Sequence, residues 1–229
     1  MAFSVRPFLV LLLFALLSLP TGAALAAAEG KPVPGHIRVR IETNMGNIVV
    51  ALDAKRAPRT TANFMKYVDD GRFDGTSFYR ASRAKSEPRR GFIQGGIDTD
   101  FRRTLLPAVP LESTSQTGLK HVDGTISMAR HERPDSATGN FSIFAGPAPF
   151  MDAAPGRPGY AAFGHVVAGM DVVKKILALP TCCGKGAMFG QMIRQDVRIV
   201  RAVRLDGKAQ PTTVVRPWLF QPKGQRPAK

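Results

Sequence analysis

The chain has 229 residues, with 32 Lys and Arg against 17 Asp and Glu, and so a net charge of +15. At 44% apolar and 21% charged residues it has the make-up of about one globular domain, which excludes wholesale disorder. Two Cys and four His without ligand spacing exclude a disulfide-stapled miniprotein and a four-thiolate zinc site, so neither metal nor cofactor is expected.

Arg6 precedes an apolar run from Phe8 to Leu19, followed by Pro20 and the small-residue stretch Ala24-Leu25-Ala26. That order is read as a secretory signal over residues 1–28, because the run is shorter than the roughly 20 residues of a membrane-spanning helix. An exported, periplasmic or secreted protein is therefore expected, its charge reduced by Arg6 alone from +15 to +14.

The mature chain opens on Ile37, Val39 and Ile41 alternating with polar residues, the period of a half-buried strand. Asn44-Met45-Gly46-Asn47 supplies a turn before a second strand, Ile48 to Leu52. Pro58 starts a helix in which Phe64, Met65 and Val68 share a face before Gly71. Short strands are expected at Ser77–Ser82, Phe92–Gln94, Thr125–Ala129, Phe141–Phe144 and Ala161–Val167. A second helix runs from Asp171 to Pro180, and a last strand covers Val197–Leu205. The stretches Arg83–Arg90, Asp98–Lys120 and Thr181–Gln195 read as surface loops, with Cys182 and Cys183 as two free loop thiols. Adjacent residues stand about 3.8 Å apart, below the usual span of roughly 4.4–6.8 Å for a disulfide. Residues 29–206 form one domain. Residues 207–229, with five Lys or Arg and no acidic residue, read as a mobile basic tail containing the only Trp, Trp218.

Many short strands with two helices and no strand-helix alternation point to an all-β barrel or sandwich. Along that order lie Ser77-Phe78-Tyr79-Arg80, Phe92-Ile93-Gln94-Gly95-Gly96, Gly124 to Arg130, Tyr160 to Val166 and Gly169-Met170-Asp171-Val172-Val173. Each fragment alone is weak, but their order and spacing across roughly residues 37–205 resemble the signature of cyclophilin-type peptidyl-prolyl isomerases. The resemblance implies a closed eight-stranded antiparallel β-barrel capped by two α-helices, acting on proline-containing polypeptides.

By the same resemblance Arg80 is the catalytic cation. Gln94 orients it and positions substrate carbonyls. Ala129 and Arg130 offer backbone groups to an extended peptide, and Phe92, Phe150, Met151 and Tyr160 line the proline pocket and its rim. Asn140 and Ser142 stand where the family carries Gln and Phe, so part of the apolar wall is expected to be missing and catalysis to be weak. Gly91 stands where an aromatic residue is expected. Phe141, Phe144 and Phe163 are read as core, and His121, His131 and His165 as surface or hydrogen-bonded histidines. The sequon Asn140-Phe141-Ser142, on a pocket strand, reads as a false positive.

The leading expectation is thus a monomeric exported isomerase that assists protein folding. The alternatives are a feeble proline-peptide-binding chaperone and a polyanion-binding surface protein. Arg83, Lys85, Arg89, Arg90, Arg102, Arg103 and the tail would meet anionic envelope surfaces. Without a nucleic-acid-binding motif, specific nucleic-acid recognition is not expected.

Overall fold

The computed structural model describes residue 29, residues 31–97 and residues 106–214. The expected signal segment, Arg102, Arg103 and Trp218 lie outside the described residues.

Strands β1 (His36–Thr43) and β2 (Gly46–Asp53) form the first hairpin. Its turn is tied by Thr43, whose hydroxyl donates to the Gly46 carbonyl at 2.7 Å and accepts from the Met45 N–H at 3.0 Å. Helix α1 (Pro58–Asp69) follows, with proline in its first turn. No side chain of its own caps it. The carboxylate of Glu112 does so from 52 residues away, accepting from Arg59 N at 3.1 Å and Thr60 N at 2.7 Å. A buried anion there answers both the unpaired N–H groups and the positive end of the helix dipole.

Strands β3 (Ser77–Arg83) and β4 (Gly91–Gly96) come next, then a one-turn helix α2 (Thr114–Thr117), β5 (Thr125–Met128) and β6 (Asn140–Ala145). After β7 (Ala162–Ala168) come helix α3 (Met170–Leu177), the two-residue β8 (Thr181–Cys182) and the long β9 (Met192–Arg204), the last of the strands and α-helices among the described residues. The strands run β1-β2-β7-β5-β6-β4-β3-β9, and β9 pairs back with β1. This closes an eight-stranded antiparallel barrel without edges, to which β8 adds only a stub beside β9.

The barrel interior is dominated by Phe64 from α1, which meets Phe73, Phe141 and Phe163 at ring separations of 5.0, 5.3 and 5.3 Å. Val172, Val173, Ile176 and Leu177 of α3 also pack into the core. Two core-facing helices with apolar stripes are what the 3.6-residue spacing leads one to expect.

Four expectations need correction. The stretch 98–120 contains α2, because Gln116 reaches back to accept the Ser113 N–H at 3.1 Å and stabilises one turn. The stretch 181–195 is not all loop, since Thr181 and Cys182 pair with Ile193 and Met192. Cys182 and Cys183 are joined as a disulfide, and no free cysteine remains. Their Cα atoms stand 3.8 Å apart, and Cys183 takes a left-handed backbone, φ 48°. Finally, the tail is not loose at its start: Asp69 accepts from Gln210 N, and Asp70 accepts from both the N–H and the hydroxyl of Thr212. Burial pushes the Asp70 carboxyl up, but those bonds and the buried Arg72 outweigh it and hold the group below its ordinary range.

Candidate active site

One outer face of the sheet carries the site, and strand register explains why. Arg80 on β3 is opposite Gln94 on β4, which is opposite Ser142 on β6, which is opposite Ser127 on β5. One row further along, Ser82, Phe92 and Phe144 are aligned in the same way. Residues two apart share a face, so both rows point out of the barrel together.

Arg80 reaches that face only through an irregularity. Phe78 pairs with Gly95 and Arg80 with Gln94, so two steps on β3 match one step on β4, with Tyr79 as the extra residue. Strict alternation would send residues 78 and 80 the same way; the bulge lets Phe78 enter the core, 1% exposed, while Arg80 points outward.

The guanidinium is held by three bonds. Nε donates to Gln191 Oε1 at 2.9 Å, Nη1 to Gln94 Oε1 at 2.9 Å, and Nη2 to the Ala187 carbonyl at 3.0 Å. It lies 5.1 Å from the ring centre of Phe92, a cation–π arrangement. Burial pulls the Arg80 pKa down from its ordinary value, and arginine's high starting point keeps it charged. Gln94 is fixed in turn, for its Nε2 donates to the Tyr79 hydroxyl at 2.8 Å, and that hydroxyl donates to Asn140 Oδ1 at 3.4 Å.

Beside Arg80 lies a notch of about 300 Å³. Phe92, Met151 and the backing ring of Phe144 form an apolar cluster separate from the barrel core, with Phe92 and Phe144 centred 5.3 Å apart. Phe150, 62% exposed, stands on the rim. Tyr160 closes the other side, its N–H donating to the Met151 carbonyl and its ring lying 4.5 Å from the Arg130 guanidinium. Arg130 also donates to the carbonyls of His131, Glu132 and Gly159, so it staples the rim loops together. Below the notch, fully buried His121 bridges Asp152, Nδ1 to Oδ1 at 2.7 Å, and Ser127, Nε2 to Oγ at 2.9 Å. Burial lowers the His121 pKa, against the opposing pull of Asp152.

Of the residues singled out from sequence, Arg80, Phe92, Gln94, Ala129, Arg130, Ser142, Phe150, Met151 and Tyr160 line this notch. Asn140 does not line it and joins only through Tyr79. The N–H of Ala129 is already taken by the Asn140 carbonyl at 2.9 Å, so it is not offered to a peptide. Gly91 supplies no wall: at φ 150° a Cβ there would lie 2.0 Å from the Ser82 carbonyl oxygen.

Sequence reasoning missed Phe144, Ala187 and Gln191. Phe144 had a signal, being two residues beyond Ser142 on the same strand. Ala187 and Gln191 had none, since they lie more than 100 residues from Arg80 along the chain.

Residues 38–204 match the family model described as cyclophilin type peptidyl-prolyl cis-trans isomerase/CLD. The chain belongs to the cyclophilin-type peptidyl-prolyl cis-trans isomerases. A peptidyl-prolyl cis-trans isomerase of Acinetobacter baylyi is 36% identical over 162 residues, covering 71% of this chain and 82% of that one. Peptidyl-prolyl cis-trans isomerase B of Escherichia coli is 34% identical over 165 residues, covering 70% and 95%. Among solved structures, a cyclophilin-type isomerase of Cryptosporidium parvum, determined in the presence of the dipeptide Ala-Pro, shares the fold with a TM-score of 0.58 at 21% identity, covering 74% of this chain and 99% of that one. In this cyclophilin the ring missing at Ser142 is offset by Phe144, which backs Phe92 from the next row of the same face. The expected loss of apolar wall is therefore smaller than the Ser142 substitution alone implies.

Proposed function

We propose that Arg80 eases rotation about the X-Pro bond of proline-containing, unfolded or extended polypeptides held in the Phe92–Met151–Tyr160 notch. The observation that carries this reading is the guanidinium fixed beside a concavity of about 300 Å³ whose walls include Phe92, Met151 and Tyr160. The barrier to be lowered, about 18–20 kcal/mol, is amide resonance. As the bond twists, resonance is lost and a lone pair returns to the proline nitrogen, where a cationic donor stabilises it. A donor favouring the twisted state over both planar states accelerates both directions equally. No bond is made or broken, so neither nucleophile nor metal has a part in the step.

The role extends to assisting the folding of exported proteins as a monomer, in the periplasm or outside the cell. It is supported by the order of Arg6, the apolar run and Ala24-Leu25-Ala26, and by a disulfide suited to an oxidising compartment. Mass spectrometry of the exported protein tests this: a mature start between Ala27 and Glu29 agrees with it, and an intact N-terminus refutes it. The basic surface would meet anionic envelope components, although Arg83 is committed to the Leu177 and Leu179 carbonyls and Arg90 to Glu87. A catalytically weak proline-peptide-binding chaperone is the alternative reading, and the ring of Phe144 behind Phe92 favours it less than the Ser142 position alone does.

The deciding experiment is exchange spectroscopy on a short Ala-Pro peptide. Wild type accelerates cis-trans exchange and Arg80→Ala lowers kcat by about a hundredfold or more, as for loss of a preorganised charged donor. Undiminished exchange in Arg80→Ala overturns the assignment.

A further inference from the structure

Arg80 is gripped from two sides. Gln94 reaches it from the adjacent strand, and the segment 183–191 supplies the other two acceptors, Gln191 Oε1 and the Ala187 carbonyl. Three of an arginine's five N–H donors are thereby taken, leaving two for a substrate. Gln191 is itself seated at the neighbouring residue, since its carbonyl accepts the Ala81 N–H at 2.9 Å. Its side chain therefore addresses Nε from a fixed origin.

The segment carrying these acceptors has little packing to hold it. Lys185 through Gly190 are exposed, and Phe189 at its tip is 77% exposed. Its shape comes instead from local bonds: Gly190 N–H to the Cys183 carbonyl, Met188 N–H to Lys185 and Gln191 N–H to Met188. The Cys182–Cys183 disulfide sits at its root, directly after the β8 pairing with Met192. Cys183 holds φ 48°, a left-handed backbone that residues with a Cβ disfavour, and it is the only non-glycine residue with positive φ among those described. Bonding to its own neighbour restrains Cys183 in that conformation, and the Cys183 carbonyl is the acceptor on which the loop closes.

We infer that the loop 183–191, closed by the Gly190 N–H bond to the Cys183 carbonyl next to the Cys182–Cys183 disulfide, is a positioning clamp for Arg80, with Gln191 the residue that fixes its guanidinium. The inference rests on the catalytic reading of Arg80. A guanidinium held in place need not be ordered again as the peptide bond twists, so the clamp acts on turnover more than on peptide affinity. Reduction by a dithiol transfers two electrons and two protons to the cystine, giving two Cys thiols and a cyclic disulfide of the reductant. It frees Cys183 to leave the left-handed region and relaxes the loop.

The test measures kcat by exchange spectroscopy and peptide affinity by titration, on the mature protein with an Ala-Pro peptide. Gln191→Ala is expected to lower kcat about tenfold while the dissociation constant stays within about twofold. Gln191→Glu, which keeps an acceptor at the same reach, recovers most of the rate. In ¹⁵N-arginine spectra, the Arg80 Nε–H signal is slowly exchanging in wild type and averages with solvent in Gln191→Ala. Dithiothreitol lowers the wild-type kcat and lowers that of Gln191→Ala by a smaller factor, because only the Ala187 carbonyl contact is left for it to loosen. A Gln191→Ala enzyme with wild-type kcat and an unaltered Nε–H signal overturns the clamp, and an unchanged rate in reduced wild type removes the disulfide from it. Arg80→Ala is run alongside. If it is inactive while Gln191→Ala is normal, the clamp alone fails; if it is active, the catalytic reading fails as well.

Discussion

Phe141 and Phe144 lie on one strand, are 1% and 0% exposed, and face opposite sides of the sheet. Truncating each to alanine separates the barrel core from the notch. Phe141 touches the rings of Phe64, Phe73 and Phe78 at 5.3, 5.4 and 5.7 Å, so Phe141→Ala opens a cavity in the densest part of the core. It should cost about 4–5 kcal/mol, the upper end for such truncations. Phe144 meets Phe92 and His121 at 5.3 and 5.1 Å beside a notch into which Phe92 can relax, so Phe144→Ala should cost about 3 kcal/mol. In a domain of this size that corresponds to a fall in Tm of roughly 6–12 °C. The two effects reverse in binding. Without its backing ring Phe92 sinks, and losing about 1.4 kcal/mol of apolar contact weakens an Ala-Pro peptide about tenfold, whereas Phe141→Ala leaves affinity within about twofold. Urea unfolding and peptide titration at 10 °C, where both variants are folded, read the two quantities. Equal affinities in the two variants would refute the assignment of Phe144 to the notch.

Glu112→Gln removes the charge that caps α1 while leaving it an acceptor; the domain should lose about 1 kcal/mol in urea unfolding with kcat unchanged, and no loss would dismiss the cap. Stability should also fall as pH drops below about 6.5, because burial lowers the pKa of His121 and the unfolded chain then binds the proton more readily than the folded one. Burial lowers His165 as well and adds in the same direction, so the check is the slope of unfolding free energy between pH 8 and pH 5 in wild type and in His121→Gln. The variant should show the shallower slope, and a wild type no less stable at pH 5 than at pH 8 would contradict the sign.

Much of the barrel was legible because β1 alternates apolar and polar residues, because β6 is a short, mostly apolar run bounded by turn residues, and because Pro58 and Pro180 mark where one helix begins and the other has ended. What escaped is carried by contacts without local periodicity. Glu112 caps a helix 52 residues earlier. Asp69 and Asp70 capture Gln210 and Thr212 across the chain, contacts at the start of the basic segment that composition does not signal. The usual Cα span of disulfides argued against a bond between neighbours, and the structure joins Cys182 to Cys183 with Cys183 in a left-handed backbone.

The candidate site shows the same division within a single strand. Phe78 and Arg80, two apart, are one apolar and one charged, and a regular strand cannot satisfy both on one face. Ala81 is buried again, so the inward positions are 78 and 81, a spacing of three that a period of two excludes. An extra residue in the strand resolves this, and Tyr79 is that residue. The conflict was present in the letters Phe-Tyr-Arg-Ala, but choosing between a bulge and a misplaced strand required the partner register of Gly95 and Gln94. The same bulge puts the Tyr79 hydroxyl within reach of Gln94 Nε2 at 2.8 Å. This orients the amide oxygen of Gln94 toward Arg80, so one inserted residue both turns the cation outward and sets the acceptor that holds it.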